Sequence, residues 1–335
     1  MKMSLRRDVK LSLYLAVILS VLLFLLGLSF SFLLVNSPSH RDINEVRSTA
    51  GYKFINPLLE CDSADTGSED NILDLRKALT ESVRNAKDNK LANHISVYYR
   101  DLNNGPWIGI NEQELFSPAS LLKVPVMILY YKVAEADPSI LNRVVVNTIK
   151  QDLVNQNITS TKAIEYNKSY TIEELISYAI RYSDNTAAMI LNGGFDNQSL
   201  VTLYNHMGVD VNAESSLDMG NVISVKEYAS FFRILFNASY LNRDMSEKAL
   251  KLLSESDFKD GIVAKLPADI VVAHKFGERE NPKTGEFQLH DCGIVYTPNH
   301  PYLICIMTRG DKSQNLSKAI QDISFAAYQS SIKNL

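Results

Sequence analysis

The apolar and polar positions divide the chain into parts with different patterns. Residues 11–35 form an apolar run without a charged residue, residues 36–70 are mostly polar, and apolar residues recur at regular spacing from residue 71 onward. If residues 11–35 form a helix, it is long enough to span the hydrocarbon core of a membrane, which is about 30 Å thick. Residues 1–10 carry four basic side chains and one acid, which favours a cytoplasmic position for them. We therefore expect a cytoplasmic tail (1–10), a transmembrane anchor (11–35), a linker (36–70) and a globular domain (71–335).

A cleaved signal peptide is the alternative interpretation of the first segment. The apolar region of a signal peptide has only about 7–15 residues and is followed by small residues at the cleavage site. Here the run is longer, and Pro38 lies beside the most plausible cut. We therefore expect an uncleaved single-pass anchor in the cytoplasmic membrane, with the domain on the extracytoplasmic side.

The linker contains one segment that differs from the rest of it. Residues 51–62, GYKFINPLLECD, are too apolar for a free tether. We expect this segment to dock on the domain in an extended form, and contact with the membrane or a partner is the alternative.

The periodicity of the remaining residues predicts an α+β fold. Apolar residues at helical spacing predict a helix from about residue 72, and mostly helical patterns fill residues 120–255. Strand patterns lie near both ends of the domain, and a last amphipathic helix follows them. The strand patterns cover residues 94–102, 106–112, 270–276, 287–296 and 302–309. We therefore predict an antiparallel sheet flanked by helices, assembled from both ends of the domain around an all-helical insertion.

Composition and charge exclude several classes of protein. Hydrophobic residues make up 46% of the 335 residues, and the net charge of −4 with a pI near 5.9 leaves no basic surface for nucleic acid. Three cysteines are too few for a disulfide scaffold, and no cysteine and histidine spacing predicts a metal site. If the turn between the last two strands pairs Tyr296 with Pro301, Cys292 lies opposite Cys305. We expect both thiols to be reduced, because directly opposed strand pairs rarely meet disulfide geometry.

A single charged residue lies in the apolar stretch SPASLLKVPVMILYY, which begins at Ser117. With Ser117 as N-cap and Pro118 at the first helical position, Ser120 falls in the first turn, and Lys123 lies one turn further on the same face. A desolvated lysine can lose its proton and act as the base for a serine nucleophile. Ser-x-x-Lys also occurs by chance in long chains. Further motifs are therefore needed to decide whether Ser120 and Lys123 are catalytic.

Two further motifs support a catalytic interpretation of Ser120 and Lys123. Residues 183–185, Ser-Asp-Asn, separate two helical patterns, and their alternative role is to cap the second helix. Residues 275–277, Lys-Phe-Gly, end the apolar strand pattern at 270–273. The alternative for the lysine is a solvated charge at a sheet edge, whereas the glycine allows close approach of another backbone.

In this order the motifs resemble those of the serine β-lactamase and penicillin-binding protein superfamily, namely Ser-x-x-Lys, Ser-Asp-Asn and Lys-Thr-Gly. Ser120 and Ser183 are 63 residues apart, and Ser183 and Lys275 are 92 apart, which is similar to class A β-lactamases. The stretch FSPASLLKVPV is similar to the nucleophile segment of that family, and HDCGIVYTP lies where the next sheet strand of the family would be. The resemblance covers residues 71–335 and implies the β-lactamase and transpeptidase-like fold.

The resemblance also implies a role for each motif residue. Ser120 is the nucleophile, Lys123 is its base, and Ser183 relays a proton to the leaving nitrogen. Backbone N–H groups of Ser120 and Glu278 are implied as the oxyanion hole. The implied substrate-binding residues are Asn185, Lys275, Gly277 and Arg279. The chemistry needs no metal and no organic cofactor.

The chain departs from the family at two places. Phe276 stands where the family has threonine, so recognition of a substrate carboxylate falls on Lys275, Ser183 or Arg279. The loop that carries the deacylating glutamate of class A enzymes in Glu-x-x-Leu-Asn is shorter here. Glu214 begins the near match Glu-Ser-Ser-Leu-Asp, which is either a retained catalytic base or a chance match in an acidic loop.

Together these features predict a membrane-anchored serine hydrolase of the class A β-lactamase type. Its substrate is expected to be a small-molecule β-lactam or a related cell-wall amide such as a peptidoglycan peptide. The alternative is a D-alanyl-D-alanine carboxypeptidase or endopeptidase, which shares the first half of the reaction. A penicillin-binding sensor is a third possibility, but it requires an output domain, and the tail at 1–10 is too short for one.

Overall fold

The computed structural model describes residues 43–47, 51–63, 69–103, 106–150, 158, 160–206, 220, 222–298 and 300–333. The predicted tail and anchor at 1–35 and the candidate base Glu214 lie outside these ranges. Among the helices within them, none combines the length and apolar character needed to cross a membrane. The chain separates into two units, residues 1–44 with 62–65 and residues 45–61 with 66–335, and the second unit contains the five-stranded sheet, the helices and the candidate site described below.

A five-stranded antiparallel sheet forms the centre of the domain, with strand order β4-β3-β11-β10-β9. Two of its strands come from the start of the domain and three from its end, which confirms the predicted assembly from both ends. The sheet strands are β3 (His94–Asp101), β4 (Trp107–Ile110), β9 (Val271–Glu280), β10 (Phe287–Tyr296) and β11 (Tyr302–Gly310). The remaining strands are short: β1 (Ile43–Arg47), β2 (Leu58–Ser63), β5 (Leu115–Phe116), β6 (Val144–Val146), β7 (Ser169–Thr171) and β8 (Ile223–Ser224).

Helices cover both faces of this sheet, because alternate residues of each strand point to opposite faces and both sets are apolar. The helices at 69–88 and 313–333 pack on one face, and the helical insertion packs on the other. The α-helices are α1 (Glu69–Asp88), α2 (Lys123–Ala136), α3 (Ile172–Arg181), α4 (Asn185–Asn192), α5 (Asn197–His206), α6 (Val225–Phe236), α7 (Arg243–Ser254) and α8 (Ser313–Lys333). Two 3-10 helices span Ala119–Leu122 and Pro138–Asn142. The predicted α+β fold is confirmed, but the insertion is not all-helical, because it also contains the short paired strands β6, β7 and β8.

The segment before α2 differs from the predicted single helix. Ser120 lies in the 3-10 helix Ala119–Leu122, and the α-helix begins only at Lys123. Ser117 is not an N-cap, because Ala119 has a positive φ of 48° that interrupts the helical backbone before Ser120. Since α2 begins so late, Pro125 falls in its first turn, where the missing N–H of proline is tolerated.

Strand β9 also differs from its prediction. The apolar pattern placed Lys275 at the end of the strand, but the strand continues to Glu280. Lys275 lies in the middle of it with no exposed surface, so it is not a solvated edge charge. Pairing of β9 with β10 along its whole length, with Cys292 opposite Lys275, accounts for the difference.

The apolar segment in the predicted linker docks on the domain. Phe54 and Ile55 are buried in the core on the helical-insertion side of the sheet. The carboxylate of Glu247 accepts hydrogen bonds from the backbone N–H groups of Lys53, Phe54 and Ile55 at 2.8, 2.8 and 3.0 Å. The predicted docking is therefore confirmed for these residues, which are held both by apolar burial and by one carboxylate.

The two cysteines near the end of the domain face each other as the turn predicted. Cys292 is opposite Cys305 in the register of β10 and β11, and both side chains are fully buried. The expectation of reduced thiols is wrong, because the structure joins the two residues in a disulfide with their Cα atoms 3.9 Å apart. This close approach across the ladder brings the sulfurs together.

Thiol counting tests the disulfide directly. Under denaturing conditions without a reductant, we expect one of the three cysteines of the chain to react with an alkylating reagent. After reduction all three should react, and mass spectrometry gives both counts. Three reactive thiols before reduction would contradict the bond.

Candidate active site

Three segments that are distant in sequence meet around the hydroxyl of Ser183. The Nζ atom of Lys123 lies 3.0 Å from Ser120 Oγ and 3.1 Å from Ser183 Oγ. On the other side, the Nζ atom of Lys275 lies 2.9 Å from Ser183 Oγ. The three sequence motifs therefore form one continuous chain of hydrogen-bonding groups, with one serine hydroxyl between two lysines.

Lys123 has more acceptors than it can satisfy. Besides the two hydroxyls, its Nζ lies 2.6 Å from the Ser183 carbonyl oxygen and 2.6 Å from Asn185 Oδ1. An ammonium group has three protons, so four partners cannot all receive one at once. The lysine can therefore keep strong hydrogen bonds to the amide and carbonyl oxygens while it exchanges a proton with a hydroxyl.

The charge state of Lys123 is set by its surroundings. Burial lowers its pKa to about 7, and the negative charges of Asp184 and Glu278 partly oppose this effect. At neutral pH the amine and the ammonium are both populated. The group is thus suited to accept a proton and to return it.

The turn between α3 and α4 places Ser183. Thr171 and Glu174 form a capping box that starts α3, and the helix ends just before this turn. Ser183 has a positive φ of 56° and is buried. Asp184 then caps α4, with Oδ1 accepting from the N–H of Ala187 at 2.7 Å. The capping role considered for the motif is therefore real, but it belongs to Asp184 and leaves Ser183 facing the lysines.

Lys275 is the most deeply buried cation of the site. It donates to Ser183 Oγ and, at 2.9 Å, to the carbonyl oxygen of Phe276. Burial lowers its pKa well below the ordinary value, repulsion from Lys123 lowers it further, and attraction to Asp291 opposes both. A positive charge on either lysine therefore makes protonation of the other less favourable, and both lie beside the hydroxyl of Ser183.

Gly277 allows the segment that contains Ser120 to touch β9. A Cβ atom at this position would lie 2.9 Å from the carbonyl oxygen of Pro118 and 3.0 Å from the backbone nitrogen of Leu121. The partner that approaches this glycine is therefore the 3-10 helix that carries Ser120. The next residue, Glu278, accepts a hydrogen bond from the N–H of Ile158 at 2.8 Å through its side chain.

Phe276, which stands where the family has threonine, and Arg279 both follow the buried Lys275 on β9. The Phe276 ring stacks on Phe258 with centroids 4.0 Å apart, and the Lys275 Nζ atom lies 4.2 Å from the Phe276 centroid. Arg279 is half-buried, and its Nη1 donates to Ser117 Oγ at 3.2 Å. The structure therefore brings Arg279 beside the nucleophile segment, while Phe276 offers only its ring and its carbonyl group.

Sequence reasoning missed the polar residues of β10 that contact this region. Gln288 and His290 hydrogen-bond the backbone of Ser117, and Asp291 hydrogen-bonds His274. His274 lies in β9 and the other three lie in β10, and both strands are mostly apolar. Polar side chains within these apolar strand patterns could have indicated the residues from the sequence.

Comparison with known proteins gives a family and a fold. Residues 74–331 match the beta-lactamase enzyme family. None of the curated proteins is similar enough to the chain to count as a match.

Solved structures give the same fold at low sequence identity. A β-lactamase from Chitinophaga pinensis is 21% identical with a TM-score of 0.65, over 76% of this chain and 98% of that one. PBP-A, in a structure of its acyl-enzyme complex with penicillin G, is 18% identical with a TM-score of 0.64, over 77% and 97%. A class A β-lactamase representative from Bacteroides cellulosilyticus is 18% identical with a TM-score of 0.64, over 76% and 98%. Because the family match extends over most of the chain, the protein belongs to the beta-lactamase enzyme family and is a serine hydrolase.

Proposed function

We propose that this protein is a membrane-anchored acyl-serine hydrolase that acts on β-lactams or related cell-wall amides outside the cytoplasm. The observation that carries the reaction type is the chain of groups from Ser120 through Lys123 and Ser183 to Lys275, with successive separations of 3.0, 3.1 and 2.9 Å. The proposed location rests on the apolar run at 11–35 and its basic flank.

Acylation follows from this chain of hydrogen bonds. The amine of Lys123 removes the proton of Ser120, and Ser120 Oγ attacks the carbonyl carbon of the substrate. When the C–N bond breaks, Ser183 gives its proton to the leaving nitrogen and receives one from Lys123. The lysine ends as an amine, and the proton of Ser120 has been transferred to the product. The backbone N–H groups of Ser120 and Glu278 are the proposed oxyanion hole.

Substrate binding is assigned to groups around the same chain. Asn185 is the proposed hydrogen-bonding partner of the substrate's amide side chain. Lys275 is too deeply buried to meet a carboxylate directly in this state, so we assign it an electrostatic role through Ser183. Arg279, half-buried at the edge of the nucleophile segment, is the proposed direct partner of a substrate carboxylate.

A peptidase of the D-alanyl-D-alanine carboxypeptidase or endopeptidase type is the second candidate. The loop that carries the deacylating glutamate in class A enzymes is shorter in this chain. The groups for acylation, Ser120, Lys123 and Ser183, lie within hydrogen-bonding distance of one another. The short loop favours an enzyme that forms the acyl-serine readily and clears β-lactam products slowly.

Replacing the nucleophile tests the reaction type. Ser120→Ala should abolish covalent labelling by penicillins and fluorophosphonates, because the hydroxyl is the group that reacts. Intact-mass analysis after exposure to each reagent measures it, and Ser139→Ala, at an exposed and distant serine, is the control that should label normally. Undiminished labelling of the Ser120 variant would overturn the assignment.

The base predicts a pH dependence of acylation. Because the pKa of Lys123 lies at about 7 and the amine is the reactive form, the acylation rate should rise with pH through that value. Lys123→Ala should lower the rate by about 10²–10⁴-fold, the usual effect of removing a positioned base. Stopped-flow measurement with a chromogenic β-lactam gives both results. A variant with the same rate and profile as the wild type would make Lys123 structural.

Deacylation separates the two candidate functions. We expect the acyl-enzyme to accumulate with β-lactams, because deacylation needs a base and a held water besides the acylating groups. Pre-steady-state kinetics of the wild type, Glu214→Gln and the control Asp218→Asn measure the clearing rate. Slow clearing that neither substitution changes supports the peptidase. Fast clearing that only Glu214→Gln abolishes would make Glu214 the catalytic base of a β-lactamase.

A further inference from the structure

Strand β10 holds the residue from which the nucleophile segment begins. The N–H of Ser117 donates to Gln288 Oε1 at 3.0 Å, and its carbonyl oxygen lies 3.0 Å from His290 Nε2. Gln288 is 8% exposed and His290 is fully buried. One peptide position, three residues before the nucleophile, is therefore fixed on both its donor and its acceptor side by the sheet.

The hydrogen bonds of His290 define its tautomer. Its Nδ1 lies 3.3 Å from the backbone nitrogen of Thr308, which can only donate, so Nδ1 is the acceptor and Nε2 carries the proton. Burial lowers the pKa of His290 to about 4, so the ring remains neutral over the range in which Lys123 titrates. The Nε2–H group is thus a fixed donor to the carbonyl of Ser117.

The segment between this contact and the nucleophile is strained. Ala119 has a φ of 48°, a left-handed conformation that is costly for a residue with a Cβ atom. Beyond it, the hydroxyl of Tyr228 donates to the carbonyl oxygen of Leu121 at 3.0 Å. The strained residue is therefore fixed from both sides, and such a conformation persists only where its surroundings determine it.

We propose that His290 is a positioning residue for acylation, which holds the carbonyl of Ser117 so that the strained turn at Ala119 directs Ser120 Oγ toward Lys123. The inference rests on the proposed acyl-serine chemistry of the same site. His290 acts through Ser117 and does not touch the substrate.

Three substitutions separate this role from general packing. His290→Met fills a similar volume without a donor, whereas His290→Gln keeps an N–H group at a similar reach. Ala119→Gly removes the conformational cost of the positive φ. The full-length protein is used throughout, with penicillin and a fluorophosphonate as probes of Ser120.

His290→Met should lower the second-order rate of labelling by about tenfold, the scale of one lost buried hydrogen bond. His290→Gln should recover most of that loss, and adding Ala119→Gly to His290→Met should also recover part of it. In the Ser120→Ala background, His290→Met should change the Kd for penicillin by a much smaller factor than it changes the labelling rate, because Asn185 and Arg279 lie on α4 and β9 and not on the strained turn. Equal rates for the Met and Gln variants, or a Kd that changes as much as the rate, would overturn the proposal.

The outcome for His290 is separable from the outcome for the proposed function. If neither probe labels the wild type, the acyl-serine chemistry fails, and thermal unfolding still tests the positioning role. In that case the loss of melting temperature in His290→Met must be larger when Ala119 is glycine, because only the alanine turn recovers strain energy when it is no longer held. Independent, additive shifts of the two substitutions would show that His290 does not hold the strained turn.

Discussion

The desolvation of two lysines around one hydroxyl is the constraint on which this site depends. Lys123 and Lys275 both reach Ser183 Oγ, and both are buried. Two ammonium groups so close together repel each other, and burial adds a further cost for each positive charge. Protons must therefore be shared along the chain of groups. In the proposed mechanism, that condition makes the ordinarily inert amine of Lys123 the base for Ser120.

The buried carboxylates that oppose this effect are fixed by the fold. Asp184 accepts from the backbone N–H groups of Ala187 and Ile164, which ties the capped helix to a neighbouring loop. Asp291 accepts from the N–H of Ile262, and Gly261 leaves the space that its carboxylate occupies. Asp184 acts on Lys123 and Asp291 acts on Lys275, so two separate elements determine the balance of charge. The electrostatics of the site are therefore a property of the backbone as much as of the catalytic side chains.

The spacing of residues along the sequence predicts the features that depend on local backbone geometry. It does not predict the features that depend on contacts between residues distant in sequence. The helices, the antiparallel strands and the proximity of Ser120 to Lys123 follow from periodicity and a three-residue separation. The left-handed Ala119 does not, because alanine carries no sequence signal for a positive φ. The buried position of Lys275 was missed because a charge usually ends an apolar strand, and here Ser183, distant in sequence, supplies its partner. Register placed Cys292 opposite Cys305, but it does not determine whether opposed sulfurs are bonded.

Acylation and deacylation make different demands on this arrangement. Acylation needs groups that are already aligned, and Ser120, Lys123 and Ser183 are held by a helix start, a strained turn and a close contact with the sheet at Gly277. Deacylation needs a water molecule beside the acyl carbonyl and a base that faces it. Enzymes with the same acylating groups can therefore differ in turnover through residues outside these rigid elements, and the distinction between a β-lactamase and a peptidase belongs to those residues.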